Sequence, residues 1–462
     1  MKIADTLSAQ EKELQFGDRV RIYLCGVTVY DDSHIGHART VIVFDVLRRY
    51  LESRGHGVEL VQNFTDVDDK IISRAQSEGR TAADVSERYI ENYHRDFDGL
   101  NIKRATAYPR ATEHIPDMVS FIEGLVKKGI AYVGKNGVYF AVSRFPEYGK
   151  LSKKRIDELQ AGARIGVDEG KRDPLDFALW KFSDKEPKWD SPWGAGRPGW
   201  HIECSAMSLK YLGSGFDIHG GGRDLIFPHH ENEIAQSEAR AGELFARSWM
   251  HVGMVTINGE KMSKSLGNVK SVEHVLENWG PNVIRLFCLS GHYSKPIDYS
   301  EDLLRENLIK WRQVETAYFE LIHAQGEGDA GEIQDAVREC GREFGRGLEN
   351  DLNTHEALSA FFKLVREVNR LAADELLTRG TGEIAMPEIE RCMGILGLAI
   401  PEISDDEVRS INEMNSKREE MRRAGRYEEA DRIRAEIASL NVDLLDHRSG
   451  TTWVKKERIR AE

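Results

Sequence analysis

Hydrophobic and polar positions change period along the chain, and each change marks an element. Val20, Ile22 and Leu24 alternate with Arg21 and Tyr23, the two-residue period of a strand that Cys25 and Gly26 close. Val41, Phe44, Val46, Leu47 and Tyr50 then recur at helical spacing after a short loop. Residues 58–64 (VELVQNF) predict a second strand, and a helix runs roughly from Val67 to Glu78 until Gly79 stops it. Thr65 and Asp68 stand three apart, as in a capping box. Asp66, Asp68 and Asp69 lack the glycine and terminal glutamate of a calcium loop, so they are read as cap chemistry.

Residues 81–135 are helix-rich and end in the stop Lys127-Lys128-Gly129, and GVYFAV (137–142) alternates like a strand. Residues 144–198 are charged, carry five prolines and hold few long periodic segments. They predict an insertion between two halves of a nucleotide-binding fold. FDIH (216–219) is a short strand that runs into a turn, Gly220-Gly221-Gly222, followed by Arg223 and Asp224. Pro228 suits the first position of a helix, which places His229 and Glu233 one turn apart on one face. Val255 and Ile257 with Asn258-Gly259 predict a hairpin.

Beyond residue 300 the period is helical. Leu304, Leu308, Trp311, Tyr318 and Ile322 mark one face of a long helix, and AQGEGDAGE (324–332) is a linker. Asn353 with Glu356 opens another helix carrying Leu358, Phe362, Val365 and Val368. After Pro401, Arg418, Arg422, Arg423 and Arg426 interleave with glutamates, as on a solvated helix face. A strand at 450–453 and the pair Lys455-Lys456 end this small module.

Composition narrows the function classes. At 462 residues, 40% of them hydrophobic, the chain can build several domains with sizeable cores. Its formal charge of −13 argues against nonspecific nucleic-acid binding, so any nucleic-acid contact must rest on local basic patches. Five cysteines without a C-x-x-C pair make no disulfide framework. The first sixteen residues hold no apolar leader and no run reaches membrane length, so a cytoplasmic protein is expected.

Candidate chemistry gathers at four places. His34-Ile35-Gly36-His37 is a strand-to-helix turn whose unpaired amides and imidazoles can meet a phosphate; alone it reads equally well as two surface histidines. A glycine-rich turn after a strand lets a nucleotide approach, with Asp224 near for ribose hydroxyls. His229 and Glu233 share a face, as a common metal requires. By spacing alone Cys25 and Cys204 are two buried thiols, as are Cys288, Cys340 and Cys392 in their apolar segments. Trp180, Trp189 and Trp193 read as structural aromatics rather than nucleic-acid stacking platforms.

Residues 258–268, NGEKMSKSLGN, complete a pair with His-Ile-Gly-His that resembles the signature of class I aminoacyl-tRNA synthetases. LCGVTVYD, NFTDVDDKI, DPLDFALWK, GWHIECSAM and DIHGGGRDLIFPHHENEIAQ, in this order, resemble the cysteinyl-tRNA synthetase family nearly end to end. Val27 departs from the proline common there, which bears only on loop stiffness.

The resemblance implies an α/β fold: a Rossmann-like parallel sheet with an inserted connective domain, then a helical bundle and a small C-terminal anticodon-binding module. The implied limits are 1–100 and 199–300 for the catalytic halves, 101–198 for the insertion, 301–400 for the bundle and 401–462 for the module. It implies one zinc ion on Cys25, Cys204, His229 and Glu233, and magnesium with ATP. His34, His37, Lys261 and Lys264 would carry catalysis, with Gly36, Gly220, Gly221, Gly222, Asp224 and Val255 around ATP. Gly26, Thr65 and Trp200 would hold cysteine. The implied substrates are L-cysteine, ATP and tRNA(Cys), handled by a monomer that does not bind membranes. The alternatives are a related ligase joining cysteine to an amino sugar, and a non-catalytic zinc- and nucleotide-binding sensor, against which the intact motif residues argue.

Overall fold

The computed structural model describes residues 1–155, 170–262, 268–327, 331–448 and 450–461. A hairpin of β1 (Lys2–Asp5) and β2 (Gln10–Glu13) precedes β3 (Arg19–Thr28). Val20, Ile22 and Leu24 are buried as their alternation predicts, but the strand does not end at Cys25 and Gly26. It continues past a bulge: Leu24 pairs with Gln62 and Val27 with Phe64 on β4 (Gly57–Thr65), three steps against two. A bulge re-aims the side chains at its centre, here Cys25 and Gly26.

Helix α1 (Ile35–Ser53) links these strands, and α2 (Asp69–Glu78) and α3 (Ala82–Gly99) follow β4. The expected Thr65 cap is wrong. Asp68 caps α2 by accepting from the Lys70 amide at 2.9 Å, and Gly79 ends it in the left-handed conformation. The helix therefore starts at Asp69, and the Thr65 hydroxyl donates to Glu203 instead. After α4 (Ile115–Lys127), β5 (Ala131–Val133), β6 (Gly137–Phe140), β7 (Phe177–Phe182) and β8 (Gly196–Pro198) form an antiparallel sheet in chain order. Trp180 is fully buried in its core, with Trp189 and Trp193 packed alongside.

Helix α5 (Trp200–Leu212), β9 (Phe216–Gly222), α6 (Glu231–Ala241) and β10 (Ala246–Val252) complete the central sheet. Its order is β10-β9-β3-β4, all parallel. The expected turn at the three glycines is absent; β9 runs through them. A Cβ on Gly220 would lie 2.0 Å from the Phe44 ring of α1 and one on Gly221 2.9 Å from His230, so close packing requires them. β11 (Val255–Ile257) and β12 (Glu260–Lys261) turn at Asn258 and Gly259, whose φ values of 54° and 75° fit the tight hairpin predicted. Helix α7 (Val272–Leu289) leads to β13 (Ile297–Tyr299), which pairs with β11.

The bundle holds α8 (Glu301–His323), α9 (Gly331–Glu349), α10 (Thr354–Ala373) and α11 (Arg379–Leu396). In α8 the predicted stripe fails at Ile322, which is exposed, while Val314, Ala317 and Leu321 complete the buried face. Asn353 caps α10 on the Glu356 amide at 3.2 Å, as predicted. Helix α9 begins inside the predicted linker. Finally α12 (Asp405–Arg423) and α13 (Tyr427–Ser439) pack on a hairpin of β14 (Val442–Asp446) and β15 (Thr451–Lys455). Arg418 corrects the solvated-face reading: it is buried and bonds both oxygens of Asp446 at 2.9 and 3.0 Å. Among the described residues no helix is long and apolar enough to cross a membrane.

Candidate active site

The β3 bulge, the start of α5 and the start of α6 converge at the carboxyl edge of the sheet. The Cys25 sulfur lies 3.7 Å from that of Cys204 and 3.4 Å from Oε1 of Glu233. His229 Nε2 is 3.0 Å from the same oxygen, in the one-turn pair expected from the sequence. These four buried donors lie within 4.8 Å of one another, a set able to hold a metal ion. A turn at Ile226–His230, with Phe227 extended, leads into α6 and aims His229 inward.

The electrostatics are those of a negative, buried pocket. Burial alone raises a carboxyl, yet His219 and His229 hold Glu233 well below the usual range. Burial opposes a charged imidazole, but Glu233 and Cys204 outweigh it and lift His229 to about 10. A hydrogen bond from Cys25 lowers the Cys204 thiol to about 6, whereas burial and the Cys204 charge push Cys25 up.

Periodicity did not reveal the second ring of histidines. His230 Nε2 lies 3.2 Å from Cys25 Sγ, its Nδ1 2.7 Å from His251, and His251 Nδ1 2.8 Å from the Thr6 hydroxyl. His219 Nε2 is 2.8 Å from Glu233 Oε2, and the Nδ1 atoms of His201 and His229 are 2.9 Å apart. Burial first, then neighbouring imidazoles, holds His201 and His230 neutral and lowers His251 to about 3. The adjacent letters His229-His230 and the ends of β9 and β10 were the available signals. Cys25, His219, His230 and Glu233 form an overlapping donor set. His219 lies stacked at 4.3 Å under buried Trp249, whereas His229 stacks at 4.3 Å on half-open Trp200. The set containing His229 is therefore the one nearer the surface.

The other predicted residues surround this centre. The Gly26 amide donates to Asn63 Oδ1 at 2.9 Å, and the Thr65 hydroxyl to Glu203 Oε2 at 2.7 Å. Burial raises the Glu203 carboxyl well above the ordinary range. At the other end His34 caps α1, accepting from the amides of Gly36 at 3.1 Å and His37 at 3.4 Å, with the two rings stacked at 3.7 Å.

The second motif closes on the first. Ile35 donates to the Lys270 carbonyl at 3.0 Å, Val272 to that of Ser33 at 2.8 Å, and Met262 reaches Gly36. Lys261 ends β12; Lys264 lies outside the described residues. Asp224 follows β9, and Val255 is buried in β11.

The model of the "tRNA synthetases class I (C) catalytic domain" matches residues 12–308, and that of the DALR domain residues 343–400. Cysteine–tRNA ligase of Caldicellulosiruptor saccharolyticus is 48% identical, with all of both chains covered. Those of Geobacter sulfurreducens (47%; 99% of this chain, 100% of the relative) and Pyrococcus abyssi (46%; 98% of each) agree. The chain belongs to the cysteine–tRNA ligase family. Family membership makes it a class I aminoacyl-tRNA synthetase, as its motifs imply.

Solved structures add the fold. Mycobacterium tuberculosis methionyl-tRNA synthetase with methionyl-adenylate superposes with a TM-score of 0.64 at 17% identity, covering 82% of this chain and 91% of that one. An arginyl-tRNA synthetase described as putative, from Campylobacter jejuni, gives 0.55 at 13%, covering 82% and 93%. Both likenesses show a shared fold over 82% of this chain.

Proposed function

We propose that Cys25, Cys204, His229 and Glu233 hold one zinc ion that selects the substrate thiol in the ATP-dependent joining of L-cysteine to tRNA(Cys). The observation that carries this is the spacing of the four donors. A tetrahedral zinc with bonds of about 2.3 Å to sulfur and 2.0–2.1 Å to nitrogen or oxygen has edges of about 3.3–3.8 Å. The Cys25–Cys204 and Cys25–Glu233 spacings of 3.7 and 3.4 Å fall in this range, and the 3.0 Å between His229 and Glu233 reaches it by opening a few tenths of an ångström. Serine differs from cysteine by one atom, and shape alone discriminates such near-isosteres poorly. When bound, zinc supplies a thiophilic position that prefers thiolate to hydroxyl.

The protein's own groups do the rest. Trp200 roofs His229 and closes the cysteine pocket, with Thr65 and Gly26 beside it. The cysteine carboxylate attacks the α-phosphate of magnesium-bound ATP, forming cysteinyl-adenylate and releasing pyrophosphate. His34 and His37 at the α1 N-terminus, with Lys261 and Lys264, stabilise charge on the phosphates. Gly36, Gly220, Gly221, Gly222, Asp224 and Val255 line the nucleotide. The terminal ribose hydroxyl of tRNA then takes the acyl group and AMP leaves. Similarity over the full relatives, including the DALR region, favours this reading over the amino-sugar ligase.

Elemental analysis of the purified chain tests the centre. Close to one tightly held zinc is expected, with a sharp loss in Cys204→Ser and His229→Ala; parent-like zinc in both would refute the ligand set. Lys264→Ala should retain zinc and thermal stability yet slow cysteine-dependent ATP–pyrophosphate exchange by roughly two or more orders of magnitude. A rate within a few-fold of the parent would exclude its phosphate role.

A further inference from the structure

The helical bundle contains a second group of metal-type donors that this reaction does not use. Cys340 on α9 and Cys392 on α11 are 52 residues apart, and both are buried, yet their sulfurs approach to 4.0 Å. Glu388, one turn before Cys392 on α11, places Oε1 3.6 Å from the Cys392 sulfur. The three donor atoms lie within 4.8 Å of one another. A tetrahedral ion bonded at about 2.3 Å to two sulfurs and about 2.1 Å to oxygen requires edges of about 3.8 and 3.6 Å. The Cys340–Cys392 and Cys392–Glu388 separations meet this to within a few tenths of an ångström, and Glu388 lies within 4.8 Å of Cys340.

Charge fits as well. Two thiolates and a carboxylate around a divalent cation leave one negative charge. The Arg391 guanidinium, 2.6 Å from Glu388 Oε1 and 3.8 Å from the Cys392 sulfur, balances it. That guanidinium also lies over the Phe344 ring, 5.3 Å from its centroid, which fixes its position. A cavity of about 230 Å³ between α9 and α10 has Cys340 in its wall, with Asp335, Glu339, Glu343 and Glu367 against one lysine, Lys363. This acidic mouth favours the approach of a cation toward the Cys340 side of the cluster.

We propose that Cys340, Glu388 and Cys392 form a second site for a thiophilic divalent cation of the zinc type, pinning α9 to α11. Binding is a simple exchange in which the two thiol protons leave to solvent and no redox step occurs. With three protein ligands, this site binds more weakly than the four-ligand centre and fills after it.

The test uses the full chain, stripped by a chelator, kept reduced and titrated with Cd²⁺, following the ultraviolet thiolate-to-metal charge-transfer band. The parent should take up two equivalents; Cys204→Ser and the double variant Cys340→Ala, Cys392→Ala should each lose one. Glu388→Gln alters no core volume and should weaken the second equivalent at least about tenfold, which keeps the test open if the double variant misfolds. Saturation of the parent at one equivalent overturns the proposal. So does a second equivalent indifferent to Glu388→Gln.

Discussion

Gly26 shows how much one residue can decide without contributing a side chain. A Cβ there would lie 1.5 Å from the Asn63 carbonyl oxygen, so any larger residue pushes β3 off β4 beside Cys25. Gly26→Ala should therefore cut metal content and lower cysteine-dependent exchange by about a hundredfold, the scale of an ångström misplacement at a reacting centre. Parent values for both would mean the strands relax without moving Cys25. Asp45 gives the buried-charge counterpart. It accepts from Arg285 at 2.6 Å inside the core shared by α1 and α7, where both side chains are inaccessible. Asp45→Ala leaves that guanidinium unpaired and should cost about 3–5 kcal/mol in urea denaturation. The alternation and helical period identified the surroundings of both residues. Neither the bulge nor a partner 240 residues away leaves a local trace.

At the scale of elements, the chain end is not a free tail. Glu457 accepts from Asn282 of α7 at 2.7 Å, its amide donates to Glu315 of α8 at 2.6 Å, and Ala461 donates to the Asn278 carbonyl at 3.0 Å. Burial, with Glu315 adding repulsion, raises the Glu457 carboxyl to about 7. Burial raises Glu315 too, although Arg312 opposes it. Because its folded value exceeds the ordinary 4.5, Glu457 favours docking fully below that pH and loses the contribution as pH rises through 7. The parent should lose more thermal stability than Glu457→Gln between pH 5 and pH 8, measured by melting at each pH. Equal losses would place the titration elsewhere. Helix α8 had the right period in the sequence but a face assigned one position off at its end: Leu321, not Ile322, is buried. The reason is that α8 serves two cores, with Phe319 turned toward the terminal hairpin.

For the whole molecule, that second core changes what truncation means. Phe319 packs on Trp453 at 5.3 Å, and His323 bonds the Trp453 carbonyl at 3.1 Å, so residues 402–462 cover α8 and brace α7. A chain ending at residue 401 should lose tRNA charging and also melt several degrees lower, while pyrophosphate exchange survives in whatever fraction stays folded. An unchanged melting temperature would show the module to be thermodynamically separate. By itself the sequence determined the main helices, the strands β3 and β4, the Asn353 cap, the Asn258-Gly259 hairpin and both signature motifs, because period, cap and turn chemistry act over a few residues. The one-turn pair His229 and Glu233 was legible for the same reason. Only the tertiary structure decided that Cys25 meets Cys204 across 179 positions, that histidines form a ring behind them, and that Cys340 faces Cys392. Strand order, one bulge and the packing of separate helices set those contacts, and none of these is a property of a short stretch of chain.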